Sequence, residues 1–189
     1  MIKVKENLFI HADPERCLAC RSCELACGLA HSEVDDIITA TMLGLKLEPR
    51  NEVVGIANVV IPMQCRHCED APCAVACPTG AIYHHDASFV RIVESNCIGC
   101  KVCSMVCPFG AIKMSKDMGS VSNAKTKKTV AHKCDLCYDR IDENGNFSCA
   151  CVEACPSDAL MLVDYESYRK QLVLKRAEEL ANAHSPIKR

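Results

Sequence analysis

The chain has 189 residues, the length of one domain or of two small fused domains, and carries 22 basic and 24 acidic residues. This near-balance argues against a general nucleic-acid-binding protein, which would show a strong basic excess. Seventeen cysteines and the absence of tryptophan set the chain apart from an ordinary intracellular enzyme.

The sequence indicates neither a membrane span nor an export signal. Its longest apolar stretch, from Val53 to Met63, is interrupted by Gly55, Asn58 and Pro62 and is about half the roughly 20 residues that a span needs. The N-terminal residues lack the apolar region of a signal peptide and a twin arginine. We therefore expect a cytoplasmic protein, in which dense cysteine indicates metal or redox chemistry rather than disulfides.

Taken along the chain, the sequence predicts short strands between cysteine-rich segments. Apolar and β-branched runs predict strands at Leu8–Ile10, at Val53–Val54 and Asn58–Ile61 about a turn near Gly55, and at Phe89–Val93. Such short elements offer little large apolar surface, so a bound group is expected to replace much of the hydrophobic core.

Two longer segments lie outside these short elements. Residues 113–133 contain six lysines and one acid, Asp117; they predict a solvated surface insertion, with docking to an acidic partner as the alternative. The longest helical pattern runs from Asp164 to about Ala183. It can pack on its own domain, but packing on a partner or on a second copy is favoured, because a helix this long is more than a small core can cover. One face of that helix gathers Tyr165, Tyr168, Leu172, Val173, Ala177 and Leu180.

Sixteen of the cysteines fall into four groups of four, and Cys149 is left over. The first and third groups have the spacing C-x2-C-x2-C-x3-C, the second has two more residues in the middle gap, and the fourth is spread over two pairs. In chain order the groups are Cys17, Cys20, Cys23 and Cys27; Cys65, Cys68, Cys73 and Cys77; Cys97, Cys100, Cys103 and Cys107; and Cys134, Cys137, Cys151 and Cys155.

A second repeat follows three of these groups. The chain reads C-P-T-G-A-I from Cys77, C-P-F-G-A-I from Cys107 and C-P-S-D-A-L from Cys155, whereas Cys27 is followed by Gly28. This self-similarity indicates that one supersecondary unit is copied within the chain.

The spacing is typical of [4Fe–4S] clusters. Three closely spaced thiolates can come from one tight loop, and the cysteine after x3 points away from that loop, is expected to begin a short helix, and ligates the other cluster in two-cluster ferredoxins. Zinc sites also use C-x2-C units, but normally as two well-separated pairs. The fourth group alone fits either metal; its Cys-Pro tail and the need of Cys27 for partners favour a cluster.

On these motifs, which cover residues 17 to about 160, the chain resembles the four-cluster ferredoxin family. These are electron-transfer subunits of formate dehydrogenases, hydrogenases, carbon monoxide dehydrogenases and molybdopterin reductases. The resemblance implies four [4Fe–4S] clusters in an α+β fold of tandem bacterial-ferredoxin-like units. It implies no catalytic site in this chain, which also lacks a nucleophile elbow, a phosphate loop and a dinucleotide fingerprint.

The family also implies the ligand sets, because its two middle motifs exchange fourth ligands, and so do its two outer motifs. The implied sets are Cys65, Cys68, Cys73 and Cys107; Cys97, Cys100, Cys103 and Cys77; Cys17, Cys20, Cys23 and Cys155; and Cys134, Cys137, Cys151 and Cys27. Cys149 and Cys151 could each be the third ligand of the last set, and the family run C-V-x-A-C-P matches the chain from Cys151. Cys149 is then expected to be a partly buried small hydrophobe, with a ligand or redox role as the alternative. His67 and His132, beside the motifs, are expected to be polar groups next to a cluster or surface groups rather than ligands.

The implied domain organisation is a four-cluster domain followed by a helix and tail. The cluster domain spans residues 1–163, and the helix and tail span 164–189. Within the cluster domain, an inner ferredoxin unit covers about 60–115 and an outer unit combines 8–45 with 130–163.

The first motif resembles that of one particular electron-transfer subunit and so indicates a catalytic partner. It reads C-L-A-C-R-S-C-E-L-A-C-G-L-A-H-S from Cys17 and is similar to the iron–sulfur subunit of carbon monoxide dehydrogenase, the CooF-like group. That resemblance implies electron transfer from the nickel–iron dehydrogenase to a hydrogenase or to a ferredoxin or NAD(P) oxidoreductase. Two alternatives stay open: the same role beside a formate dehydrogenase or hydrogenase-linked CO2 reductase, and a cluster-folded subunit that assembles a complex through its C-terminal helix.

Overall fold

Short hairpins and short helices make up the fold of the computed structural model, which describes residues 7–85, 89–116, 129–143 and 145–183. The strands are β1 Leu8–Ala12, β2 Glu52–Ile56, β3 Val59–Met63, β4 Ile82–His85, β5 Phe89–Ile92, β6 Lys113–Lys116, β7 Thr129–His132 and β8 Leu160–Asp164. The helices are α1 Ser22–Ala30, α2 Ile37–Met42, α3 Pro72–Val75, α4 Val102–Val106, α5 Ala150–Glu153 and α6 Tyr165–Ala183. This is a small α+β fold, as the sequence predicts.

The first and last strands pair with each other. β1 runs antiparallel to β8, with Leu8 opposite Asp164 and Ala12 opposite Leu160. Alternate residues of β1 are buried, the pattern of a strand with one face on a core. The pairing brings the start of the described chain beside the end of its cysteine-rich part.

The other strands form three antiparallel hairpins, β2–β3, β4–β5 and β6–β7. The strands predicted around residues 53–61 are confirmed, but the predicted turn is wrong. Gly55 lies inside β2, and the turn falls at 57–58, where Ala57 has a φ of 51°. Asn58, a residue that favours turns, was the better signal.

The lysine-rich segment is not a loop throughout. Its two ends, β6 and β7, pair from Lys113 opposite His132 to Lys116 opposite Thr129. The insertion predicted over 113–133 is therefore wrong at both ends, because alternating residues there can pair across the hairpin. Residues 117–128 lie outside the described part of the chain.

Two pairs of helices bring the cysteine groups together. α1, which carries Cys23 and Cys27, packs on α5, which carries Cys151. α3, which carries Cys73, packs on α4, which carries Cys103. The first group thus meets the fourth, and the second meets the third.

The fourth cysteine of three groups does not begin a helix as predicted. α3, α4 and α5 end at Val75, Val106 and Glu153, before the Cys-Pro sequences. Proline after the cysteine cannot donate to a continuing helix, so the helix lies before this cysteine and a turn follows it.

The core contains few large side chains. Cysteine and alanine supply most of the buried apolar residues in the described chain, and Phe89 is the largest buried side chain. These residues form two clusters, one around Phe89, Leu136 and β1, the other around Ile82, Val90 and Val130. Thiols therefore occupy much of the space that a conventional core gives to leucine and phenylalanine.

Helix α6 extends from the end of β8. Asp164 Oδ1 accepts the Ser167 N–H at 2.9 Å, and Tyr168 packs its ring edge on Phe9, 5.7 Å between centroids. None of its residues is buried, which fits the expectation of a helix without a sufficient core of its own. No helix in the described ranges is long and apolar enough to cross a bilayer.

Candidate metal centres

The fold brings the sixteen grouped cysteines into four sets, which we number by their position in a row. Site 1 comprises Cys17, Cys20, Cys23 and Cys155; site 2, Cys27, Cys134, Cys137 and Cys151; site 3, Cys65, Cys68, Cys73 and Cys107; and site 4, Cys77, Cys97, Cys100 and Cys103. The cysteines of site 1 together line one small void, and those of site 4 line another. In sites 2 and 3 the thiols lie within electrostatic range of one another.

The sites follow one another through shared neighbours. Cys151 of site 2 interacts with Cys23 of site 1, and Cys134 of site 2 interacts with Cys65 of site 3. Cys107 of site 3 packs against the apolar cluster that contains three cysteines of sites 3 and 4. Burial follows the same order: all four thiols of site 2 are buried, whereas each end site has one exposed cysteine, Cys20 in site 1 and Cys100 in site 4.

The backbone of each cysteine loop is turned in the same way. The residue before the second cysteine has a left-handed conformation in all four groups: Ala19 (φ 57°), His67 (48°), Gly99 (71°) and Leu136 (59°). For the three residues with a Cβ this costs about 1–2 kcal/mol each. Strain of this kind persists where the surroundings require it and concentrates at functional sites. These left-handed residues turn the backbone so that it surrounds the space between the thiols.

The three Cys-Pro turns also share a conformation. Gly80, Gly110 and Asp158, each three residues after the cysteine, have φ values of 63°, 60° and 49°. Glycine adopts this conformation without steric cost, and aspartate tolerates it better than most residues. The sequence repeat is therefore a repeat of one turn.

Gly99 gives a test of how tightly site 4 is built. A Cβ there would lie 2.4 Å from the Thr129 carbonyl oxygen, whereas a Cβ on Gly110 would meet nothing within 4 Å. We expect Gly110→Ala to cost about 1–2 kcal/mol, from its positive φ alone, and Gly99→Ala to cost several times more. Iron content and the temperature at which visible absorbance is lost measure the difference. Equal losses in the two variants would contradict the close approach to Thr129.

The donor set fits an iron–sulfur cube better than a single ion. Zinc needs four donors at about 2.0–2.3 Å from one point. Among the described residues, no three His, Cys, Asp or Glu side chains are placed to hold one metal ion. A cube instead takes one thiolate at each of four separate irons, which suits thiols that surround a void.

Burial keeps several of the free thiols protonated. It raises the pKa of Cys23 and of Cys73 to about 11 and that of Cys134 well above its usual range. At neutral pH these groups keep their protons. Ligation requires the thiolate, so metal binding must release those protons.

A charged network that the sequence did not reveal lies beside site 2. His31 Nδ1 is 2.8 Å from the Cys27 carbonyl oxygen, and His31 Nε2 is 3.0 Å from Asp135 Oδ1. Arg50 donates to the second carboxylate oxygen at 2.5 Å, and its backbone N–H donates to Cys27 Sγ at 3.3 Å. Both partners of the ring can only accept, so His31 is an imidazolium. Its place one helical turn after Cys27 was the only local signal.

The charge of His31 has a pH dependence. Burial disfavours the imidazolium, yet the bonds to Asp135 and Cys27 raise the pKa of His31 to about 10, from an ordinary 6.5. Because the pKa of His31 is higher in the folded chain than in the unfolded chain, its charge contributes fully to the free energy of unfolding below pH 6.5. This contribution is lost as the pH rises towards 10. We expect the gap in thermal midpoint between the unchanged chain and His31→Gln to narrow over this range. The exposed His84→Gln serves as control; a gap that stays constant with pH would contradict an imidazolium.

The other singled-out residues have defined places. His67 is buried, and its Nδ1 accepts the Val90 N–H at 3.1 Å; burial and the Lys133 charge keep its pKa well below the usual value. His132 lies 3.1 Å from a Glu94 oxygen. Cys149 is more fully buried than expected, and its thiol donates to the Leu136 carbonyl at 3.4 Å. It also lies within electrostatic range of Cys134, Cys137 and Cys151 of site 2.

One protein-family model matches the part of the chain that carries most of the cysteine groups. The 4Fe-4S dicluster domain matches residues 56–165, a range that includes the second, third and fourth cysteine groups.

Known proteins similar to the chain cover nearly its full length. An iron-sulfur protein of Rhodospirillum rubrum is 50% identical over 184 residues, 97% of this chain and 96% of that protein. Electron transport protein HydN of Escherichia coli K12 is 40% identical over 90% of this chain and 95% of its own. Formate hydrogenlyase subunit 2 of the same organism is 37% identical over 92% of this chain and 89% of its own. From its cysteine sites, its fold and these relatives, the chain belongs to the 4Fe-4S dicluster family of iron–sulfur electron transport proteins.

Proposed function

We propose that sites 1 to 4 each hold one [4Fe–4S] cluster and that the chain carries electrons between a catalytic oxidoreductase subunit and an acceptor protein. When bound, such a cluster supplies one-electron transfer. The single observation that carries the proposal is the row of four thiol sets, each made of three cysteines from one group and one from another. No catalytic residues of the chain itself are part of the proposal.

The proposed sites divide into two units. Sites 3 and 4 exchange Cys77 and Cys107, and form the inner unit at about 60–115. Sites 1 and 2 exchange Cys27 and Cys155, and form the outer unit from 8–45 and 130–163. The packing of α3 on α4 and of α1 on α5 supports this division, with residues 164–189 as an appended helix and tail.

The residues of the chain then have three tasks. The cysteines hold the metal, the left-handed loop residues keep the backbone wrapped around it, and the buried core keeps water from the two inner sites. Exposed apolar side chains lie beside the end sites: Leu18 next to Cys17 and Ile98 next to Cys97. Apolar surface at a site end suits contact with another protein, so we place the entry and exit of electrons at sites 1 and 4.

The favoured catalytic partner belongs to formate or hydrogen metabolism. Its support is the similarity to formate hydrogenlyase subunit 2, which extends over 92% of this chain. Carbon monoxide dehydrogenase, the partner expected from the first motif, remains a second candidate; its support is the C-L-A-C-R-S-C run from Cys17 and not the names of the relatives. Assembly through α6 is compatible with either partner.

One experiment separates these partners. The tagged protein is purified without oxygen from its host together with what it binds, and formate, H2 and CO are added separately while the visible absorbance of the clusters is followed. Bleaching by formate or H2 supports the favoured partner. Bleaching by CO alone, with a nickel-containing subunit in the complex, replaces it with carbon monoxide dehydrogenase.

One result of this experiment would exclude both catalytic partners. A complex that contains intact clusters and bleaches with none of the three substrates contradicts both partners. Shortening the chain after Asp164 then tests the assembly alternative, because loss of the complex with unchanged cluster absorbance would assign that role to α6.

A further inference from the structure

Two of the three Cys-Pro turns place a hydroxyl on the cysteine sulfur. The Thr79 hydroxyl lies 3.6 Å from Cys77 Sγ, and the Ser157 hydroxyl lies 3.7 Å from Cys155 Sγ. A cysteine that ligates metal has lost its proton, so its sulfur can only accept. In both pairs the hydroxyl is therefore the donor once the site is loaded.

The third turn differs only where the hydroxyl would be. It has the same conformation, with Gly110 in the left-handed region, but Phe109 stands at the position of the hydroxyl residue. Phenylalanine has no donor, so its side chain cannot make this bond to Cys107.

The positions of the three turns give the difference a meaning. Cys155 belongs to site 1 and Cys77 to site 4, the two ends of the row, whereas Cys107 belongs to the internal site 3. Reduction adds negative charge to a cluster and its sulfurs, and a donor on the sulfur offsets that charge.

We propose that Thr79 and Ser157 are positioning residues that raise the reduction potentials of sites 4 and 1, and that Phe109 withholds this contribution from site 3. The inference rests on the ligand sets proposed above. The hydroxyls would then make the reduced clusters at sites 1 and 4 more stable than they would be without them. The ammonium of Lys133 lies within electrostatic range of Cys68 and Cys73, so the inference concerns the shift at each site rather than the absolute order of the four.

The test uses the full chain, purified without oxygen with its clusters, in five forms besides the unchanged one. Thr79→Val and Ser157→Ala remove the hydroxyls, Phe109→Thr supplies one, and Thr79→Ser keeps one. Ser104→Ala is the matched control, because Ser104 adjoins Cys103 of site 4 but its hydroxyl donates to the Lys101 carbonyl at 2.9 Å. Iron per chain is measured first, and the four midpoint potentials are then followed by electron paramagnetic resonance.

We expect Thr79→Val to lower one of the four potentials, Ser157→Ala to lower a different one, and Phe109→Thr to raise a third. A neutral hydrogen bond is worth roughly a two- to tenfold change in an equilibrium. The ratio of reduced to oxidised cluster at a fixed potential should therefore fall by about that factor in Thr79→Val and Ser157→Ala, and rise by about that factor in Phe109→Thr. Thr79→Ser and Ser104→Ala should leave all four potentials in place.

The outcomes separate this inference from the proposed function. Unchanged potentials in Thr79→Val and Ser157→Ala, with full iron, overturn the inference and leave the ligand sets intact. An equal shift in Ser104→Ala also overturns it. An unchanged chain with well below about sixteen irons overturns the ligand sets instead.

Discussion

Cys151→Ser should lose one cluster, and Cys149→Ser, two residues away, should lose none. Both side chains are buried, so their difference is not one of exposure. Cys151 lies among the thiols of site 2, within electrostatic range of Cys27 and Cys137. Cys149 lies near the same thiols, within electrostatic range of Cys134, Cys137 and Cys151, but its own thiol donates to the Leu136 carbonyl at 3.4 Å, and the motif that carries the third ligand begins at Cys151.

The measurement is iron per chain together with electron transfer through the protein. We expect about twelve irons in Cys151→Ser against about sixteen in the unchanged chain and in Cys149→Ser. Site 2 lies inside the row, so its loss should also stop electrons supplied to one end from reaching an acceptor at the other. Alanine variants at both positions guard against ligation by the new serine. Loss of a cluster in Cys149→Ala but not in Cys151→Ala would reverse the assignment of the third ligand.

Removal of the iron should unfold the chain. Ten of the buried apolar residues in the described part are cysteines. All eight strands described are paired in two-stranded sheets, which are marginally stable in water by themselves. The left-handed residues of the loops add strain, which persists only where the surrounding structure requires it. Metal binding is then also folding free energy.

Small-angle scattering gives the sharpest measure of that unfolding. A folded chain of this length has a radius of gyration of about 16 Å, and an unfolded one about 46 Å. We expect the radius to rise most of the way between these values when iron is removed by an oxidant and a chelator, with loss of the far-ultraviolet circular dichroism of the helices. A chain that stays near 16 Å without iron would mean that the hydrophobic clusters around Phe89 and Val90 suffice.

Local spacing explains what could be predicted from the sequence. The cysteine groups, the strands at Leu8 and Phe89 and the long terminal helix all depend on neighbours within a few residues. The turn between β2 and β3 lies at 57–58 and not near Gly55, because asparagine favours turns whereas a glycine can also lie within a strand. The cysteine after x3 follows a short helix instead of beginning one, because the proline after it cannot continue a helix.

The charged network beside site 2 lay beyond such reasoning. Its partners are distant in the chain: His31 and Asp135 are 104 residues apart, and Arg50 and Asp135 are 85 apart. The packing of α1 on α5 brings His31 to the fourth cysteine group, and the bond from the Arg50 N–H to Cys27 Sγ holds Arg50 beside it. The cysteine motifs indicate that the first and fourth groups meet, but no motif marks these three charged residues.

The pairing of β1 with β8 has a consequence for how this protein can be joined to others. With Leu8 opposite Asp164, the chain enters and leaves the cysteine-rich body side by side. Segments attached at adjoining points leave the interior of a body undisturbed, which is why insertions succeed at such places. The cysteine-rich part could therefore be inserted into a longer polypeptide, or attached to one by a flexible linker, with the distances between its four proposed sites unchanged.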